Sequence, residues 1–319
     1  MDIPPYPLYN RTFTLYRASP LHHGSAPLLA PRALRTHAKR LSEQLKGDSI
    51  RGVDVAFAAA SHLGPLESCT WDLLGDEDSW IDAHQLQSPT PPPDARGVLV
   101  TLDYPQASYT ALLLRDPRPA PPSFTALPLL LVKMPAPVRD VFLQYLRTSF
   151  DAHVAPLRLP SSFIAAGAET YLRHLGDGDS VRQLSVQLAF PSAPALAHID
   201  ITIGAGDVAG FVARGADNTL RDKTLGDKTR GDASPTPGPF TAALTSYLRT
   251  HLALSLTHPG TTISLISATS FSLGTSRLKL SAPDTLANTS FSDSSGQDAS
   301  PAQLAVEEVL SALVREAGG

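Results

Sequence analysis

Tyr9–Arg17 is dominated by Thr, Tyr and Phe, and its apolar and polar positions alternate as in a half-buried strand that Ser19-Pro20 ends. From Pro31 the period changes. Leu34, Ala38, Leu41 and Leu45 fall at i, i+4, i+7 and i+11, one apolar stripe of a helix that Pro31 opens and Gly47 is expected to close. Ile50–Ala60 reads as a strand with Val53, Val55 and Phe57 on one face. Gly97–Tyr104 and Tyr109–Arg115 read as two paired strands with Tyr104-Pro105 near the turn, and the apolar run Leu127–Met134 follows. Helical spacing returns at Val138, Val141, Phe142, Tyr145 and Leu146. Ser161–Leu175 predicts another helix with Ser161 or Ser162 as N-cap.

The second half is rich in strand patterns. Leu184, Val186, Leu188 and Phe190 share a face, His198–Ile203 alternates, and Val208–Arg214 reads as its partner. Leu220-Arg-Asp-Lys-Thr224 is followed by Leu225-Gly-Asp-Lys-Thr229, a charged tandem repeat with little to bury. Residues 215–238 are therefore expected to be a disordered insert. Phe240–Leu256 predicts a helix with Leu244, Tyr247, Leu248, His251 and Leu252 inward. Thr262–Leu273 and Ser276–Ser281 predict a hairpin turning at Gly274. Ser300-Pro301 opens a last amphipathic helix carrying Leu304, Leu310, Leu313 and Val314. Strands and helices are grouped rather than strictly alternating. The expected class is α+β, a curved, mostly antiparallel sheet with flanking helices. The expected division is an N-terminal α+β region with a basic helix, 1–175, and a strand-rich C-terminal dimerisation region, 176–319.

Composition narrows the classes of function. The chain has 319 residues, 42% of them hydrophobic and only 18% charged, with a net charge of -4. A broadly basic nucleic-acid coat is excluded, a local basic groove is not. Its 29 prolines exclude a long coiled coil, and SPTPPPD at Ser88–Asp94 is expected to be a stiff loop. A single cysteine, Cys69, excludes a disulfide scaffold and a cysteine-rich zinc site, and suits a reducing compartment. MDIPPYPLYN has neither a cationic nor an apolar signal region, so no signal peptide is expected. With no run of about 18 apolar residues, no membrane span is expected either.

Most candidate chemistry fails on context. Gly204-Ala-Gly206-Asp-Val-Ala209 fits the fingerprint of a dinucleotide loop. Gly210 and Gly215 interrupt the helix it needs, so it reads as a glycine-rich hairpin turn. His22-His23 are adjacent and would point to opposite faces of a strand, unsuited to one metal ion. His198 and Asp200 share a strand face without a nucleophile. Asp76-Glu77-Asp78 lacks an alternating ligand pattern and reads as a solvated turn. No catalytic residue, cofactor, metal or small-molecule substrate is assigned. The positive signals are two. Arg32, Arg35, Lys39, Arg40, Lys46 and Arg51 gather within twenty residues, a candidate phosphate-binding surface. Ile263, Leu265, Phe271, Leu273, Leu278 and Leu280 lie in strands apolar on both faces. Such strands need cover on both sides, from a partner or from the final helix.

Two motifs carry a family resemblance: Tyr9-Asn-Arg-Thr-Phe-Thr-Leu-Tyr-Arg-Ala-Ser-Pro-Leu-His-His-Gly24, and Leu45-Lys-Gly-Asp-Ser-Ile-Arg-Gly-Val53. Over residues 9–75, with Trp71 in an expected strand, the chain resembles fungal inner-kinetochore subunits of the CENP-L family. The resemblance implies a non-enzymatic structural subunit of the constitutive inner kinetochore in the nucleus. It implies pairing with a CENP-N-like subunit through the C-terminal half, association with other inner-kinetochore subunits, and help in binding the centromeric nucleosome or its DNA. Two other readings stay open: a dinucleotide-dependent enzyme using Gly204–Ala209, and a protein-interaction scaffold without nucleic-acid contact.

Overall fold

The computed structural model describes residues 3–50, 64–86, 90–175, 183–224, 238–268, 271–282 and 301–319. The chain is α+β, and its described ladders pair antiparallel. It divides into two compact units, Met1–Leu157 with Ser311–Gly319, and Arg158–Leu310.

The first unit is built on strands β1 (Arg11–Ala18), β3 (Ser68–Leu74), β4 (Gly97–Tyr104), β5 (Ala107–Leu114), β7 (Leu129–Lys133) and β8 (Val154–Pro156). The ladder runs β3-β4-β5-β7-β1, and β8 also pairs with β1. A separate ribbon joins β2 (Leu21–His22) to β6 (Phe124–Thr125). β4 shows why its sequence reads as a nearly unbroken apolar run. Val98, Val100, Leu102 and Tyr104 face one core, while Leu99 on the other face is buried as well. Helices α1 (Pro31–Ile50) and α3 (Ala136–Phe150) pack on the first of these faces. Leu34, Ala38, Leu41 and Leu45 of α1 are buried as the stripe predicts, as are Val138, Phe142, Tyr145, Leu146 and Phe150 of α3. Trp71 is 3% exposed and anchors an aromatic cluster with Phe142, Tyr145, Phe150 and His37. A short helix, α2 (Glu77–Leu86), opens where a solvated acidic turn was expected. Asp76 starts it by accepting the Ser79 N–H at 2.8 Å.

The second unit carries the sheet β10-β9-β11-β12-β13, with β9 (Gln183–Ala189), β10 (His198–Gly204), β11 (Thr262–Ser267), β12 (Phe271–Gly274) and β13 (Arg277–Leu280). A bulge between Ile263 and Leu265 bends β11 against β9. Leu184, Val186, Leu188, Ile263, Ile266, Phe271, Leu273, Leu278 and Leu280 form the buried face. Helix α4 (Ser161–Leu175) lies against β11 and β12. The Ser161 hydroxyl lies at the start of that helix. It accepts the Ile263 N–H at 3.0 Å and so ties α4 to the sheet. Helices α5 (Ala205–Thr224) and α6 (Pro239–His251) pack together, α5 also meeting β9 and β10. The last helix, α7 (Pro301–Gly318), buries Leu310, Leu313 and Val314 while Leu304 stays exposed.

Several expectations are corrected. α1 continues through Gly47 to Ile50; Val53, Val55, Phe57 and the rest of the expected strand lie outside the described residues. Val208–Arg214 is not a strand and Gly204–Ala209 is not a hairpin turn: β10 passes directly into α5. Residues 215–224, expected to be disordered, are the last turns of α5, and 225–237 lie outside the described residues. The reason is a buried stripe at helical spacing, Val208, Phe211 and Gly215, that outweighs the low propensity of three glycines. α6 ends at His251, and Tyr247 and Leu252 are 40% and 41% exposed rather than inward. The expected single strand Thr262–Leu273 is two strands, β11 and β12.

α6 starts without a capping side chain of its own. Glu169 of α4 takes that role across the fold, its Oε1 accepting the Thr241 N–H at 2.7 Å and its Oε2 the Phe240 N–H at 3.3 Å. Gly238 makes room for it, since a Cβ there would fall 2.3 Å from the Glu169 carboxyl carbon. Glu169→Ala is expected to lower unfolding free energy by about 1 kcal/mol, as loss of an N-cap does. Chemical denaturation checks this, and an unchanged midpoint would show that water replaces the carboxylate at no cost.

Candidate nucleic-acid and partner surfaces

The basic helix is α1, and its amphipathic pattern decides where the cations go. At 100° per residue, Arg35, Lys46, Lys39, Arg32 and Arg40 fall within an arc of about 140°, opposite the Leu34–Leu45 stripe. All five are exposed. Glu43 interrupts the arc, 3.9 Å from Lys39, both side chains well solvated, so the pair adds little. The arc extends about 21 Å from Arg32 to Lys46 at 1.5 Å per residue. Arg51 lies outside the described residues.

Two concavities flank α1. One, about 510 Å³, holds Arg35, Lys39 and Lys46 on one wall and Cys69, Trp71 and Asp72 of β3 on the other. Burial pushes the Cys69 thiol up to about 12, so at neutral pH it is a protonated thiol rather than a nucleophile. The other, about 610 Å³, lies between the first turns of α1, the loop after β2 and the end of α3. His37 sits beside it, its Nδ1 2.8 Å from the Tyr145 hydroxyl and its ring 4.5 Å from that of Phe150. Burial, with the Arg40 charge added, holds His37 below the ordinary histidine value, so the imidazole is neutral at pH 7.

The six partner-surface candidates lie in one sheet, but mostly inside it. Ile263, Phe271, Leu273, Leu278 and Leu280 are buried in the unit's own core, and Leu265 is half-buried. Their one buried face is covered by α4, where Phe271 stacks on Tyr171 at 5.1 Å and 17°. The side of this sheet without a neighbouring strand is β10, paired to β9 alone among the described residues. A cavity of about 560 Å³ opens beside it, lined by Ile201, Ile203, Phe211 and Tyr247 among others. No sequence spacing announces that cavity, because it joins β10 to two helices whose first member reads as strand and loop.

The remaining chemical candidates stay apart. His198 and Asp200 are 3.5 Å apart on exposed β10, where Asp200 also accepts from Gln187 at 3.0 Å. No cluster of three or more metal-ligating side chains occurs among the described residues. At Gly204–Ala209 a helix does follow the strand, as a dinucleotide loop would require. However, β10 and β11 flank β9 on opposite sides and both run antiparallel to it, so no adjacent parallel pair forms. Asp207 also puts a carboxylate into the first turn of α5, where a pyrophosphate would need to sit. No described helix is long and apolar enough to cross a membrane.

Among the described residues, the surface features of this α+β scaffold are an exposed cationic face on α1 and a sheet edge at β10. The sequence profile of the Centromere protein L (CENP-L) family matches residues 7–318, and the chain belongs to that family. This makes it a centromere protein of the kinetochore, from a family of structural rather than catalytic proteins. No curated protein matches the chain.

Proposed function

We propose that this chain is a structural subunit of the constitutive inner kinetochore in the nucleus, pairing with a CENP-N-like subunit and contacting the phosphates of centromeric chromatin. The Tyr16–His23 and Leu45–Val53 motifs support a fungal member of the family. The observation that carries the chromatin reading is the exposed arc of Arg32, Arg35, Lys39, Arg40 and Lys46 in a chain whose net charge is -4. Cations on a rigid helix, with Glu43 the carboxylate paired to them among the described residues, suit a run of backbone phosphates and carry no base specificity.

For the partner, the accessible features of the Arg158–Leu310 unit are more useful than the buried hairpin side chains. β10, paired to β9 alone among the described residues, offers an edge to an added strand, and the adjoining cavity takes an apolar side chain from it. The hairpin residues Ile263, Phe271, Leu273, Leu278 and Leu280 then shape the sheet that presents this edge, while half-buried Leu265 remains available for direct contact.

The test uses the full chain co-expressed with the CENP-N-like subunit. Arg35→Glu/Lys39→Glu/Lys46→Glu is expected to leave co-purification intact and to weaken duplex DNA binding by the pair. Three lost phosphate contacts flatten the slope of log K against log salt by about 2.7. An unchanged slope would remove α1 from the DNA surface. Tyr247→Glu is expected to leave DNA contact by the isolated chain unchanged and to impair co-purification; full recovery of the partner would move the interface elsewhere.

A further inference from the structure

The cavity of about 610 Å³ beside the first turns of α1 differs in kind from the rest of the cationic face. Arg32 and Arg40 converge on it with Thr36 between them, because these positions share one side of the helix. His22 and His23 line the facing wall and His37 stands beside Arg40. Among the described residues no carboxylate lines the cavity. The wall is held in place: the His23 N–H donates to Ser123 O at 2.9 Å, and the His22 ring packs on Phe124 at 5.0 Å. Gly24, at φ +68, turns the chain away in a conformation that a side chain would strain. The Nδ1 of His23 is out of contact with solvent and has no hydrogen-bond partner among the described residues. Leu28 and Phe150 supply an apolar floor.

We propose that this cavity is a binding site for a phosphorylated serine or threonine side chain on a partner peptide. A phosphate monoester carries about two negative charges and three acceptor oxygens, the match for two guanidinium forks. The volume lies within the range of about 300–1,000 Å³ typical of small-ligand sites. The apolar floor gives the residues flanking the phosphate something to bury, which a nucleic-acid backbone lacks. Arg35, Lys39 and Lys46 share their concavity with the carboxylates Glu43 and Asp72, whereas this recess pairs its two guanidiniums with apolar walls and histidines, which suits a protruding phosphorylated side chain. The proposal goes beyond the chromatin reading and does not rest on it: the recess uses Arg32 and Arg40 alone, whereas Arg35, Lys39 and Lys46 serve only the chromatin reading.

The full chain is tested by fluorescence anisotropy against a degenerate phosphothreonine peptide library, the same library unphosphorylated, inorganic phosphate and a 20-base-pair duplex. Phosphate-dependent peptide binding is expected. It should fall at least tenfold in Arg32→Glu and in Arg40→Glu, both exposed positions where the melting temperature is expected to hold, and persist in Arg35→Glu/Lys39→Glu/Lys46→Glu. Equal binding of the unphosphorylated library overturns the proposal. So does inorganic phosphate binding as tightly as the peptides, binding of the duplex alone, or a phosphopeptide affinity indifferent to both arginine substitutions. If the triple variant loses DNA and keeps the phosphopeptide, the two surfaces are separate; if it loses the phosphopeptide as well, the recess is not the site and this proposal falls.

Discussion

Gly215→Val is expected to destroy the packing of α5 on α6 and to cost about 3 kcal/mol or more of unfolding free energy, the upper range of an overpacked core. Gly215 is the point where the two helix backbones touch. A Cβ there would stand 1.7 Å from Pro239 O, 2.7 Å from its carbonyl carbon and 3.0 Å from Ala243 N. These are backbone atoms at the start of α6, which no rotamer change moves. The helices must separate or α6 must lose its first turn. Separation would open the contact of Phe211 with Phe240, now 5.9 Å between ring centroids, to water. Arg214→Ala, one residue earlier on an exposed position, removes only a cation held 5.9 Å over the Phe211 ring. Thermal unfolding of the two variants beside the wild type separates the cases. A Gly215→Val protein that melts within a degree of wild type would mean that residues 215–224 are not packed as a helix on α6.

That glycine also shows where the sequence was readable and where it was not. α1 was legible because one face is buried and the other solvated, so Leu34, Ala38, Leu41 and Leu45 stand out against five cations. The β4–β5 hairpin was legible from two apolar runs around Tyr104-Pro105. α5 was not. Gly206, Gly210 and Gly215 look like helix breakers, and the charged repeat after them looks like an unfolded insert. Propensity is local, whereas the need for Gly215 arises from a second helix that begins more than twenty residues later. The same holds for the candidate sites. The cationic arc of α1 is a property of one helix and appears in the spacing. The recess beside it joins His22–Gly24 to Ser149–Phe150 through the β2–β6 ribbon and α3, and no spacing rule spans that separation. The hairpin strands failed differently: the bulge between Ile263 and Leu265 brings Ile263 and Ile266 to one buried face, so the apparently two-sided pattern is a single face, covered by α4 of the same chain.

Phe271→Asp follows from that cover. Phe271 is 2% exposed, stacked on Tyr171, and Leu273 beside it is fully buried. α4 approaches this strand closely enough that a Cβ at Gly167 would sit 3.0 Å from Leu273 Cδ2. Truncating such a phenyl group alone costs about 3–5 kcal/mol. The carboxylate adds a desolvation penalty, so its charge is accommodated only by opening the sheet from α4. The Arg158–Leu310 unit is therefore expected to lose cooperative folding, seen as loss of its hydrogen-exchange protection. Lys279→Asp on β13 supplies the contrast. Its side chain is exposed, on the face away from α4, and its register partner Ser272 is on the half-exposed side of β12. That variant is expected to melt as wild type does. If Phe271→Asp instead leaves the unit protected and abolishes only partner capture, the ring faces outward and the interface lies on the hairpin itself. If it unfolds the unit, loss of the partner reports folding, and the contact surface must be read from variants at exposed positions such as Tyr247, which do not disturb the core.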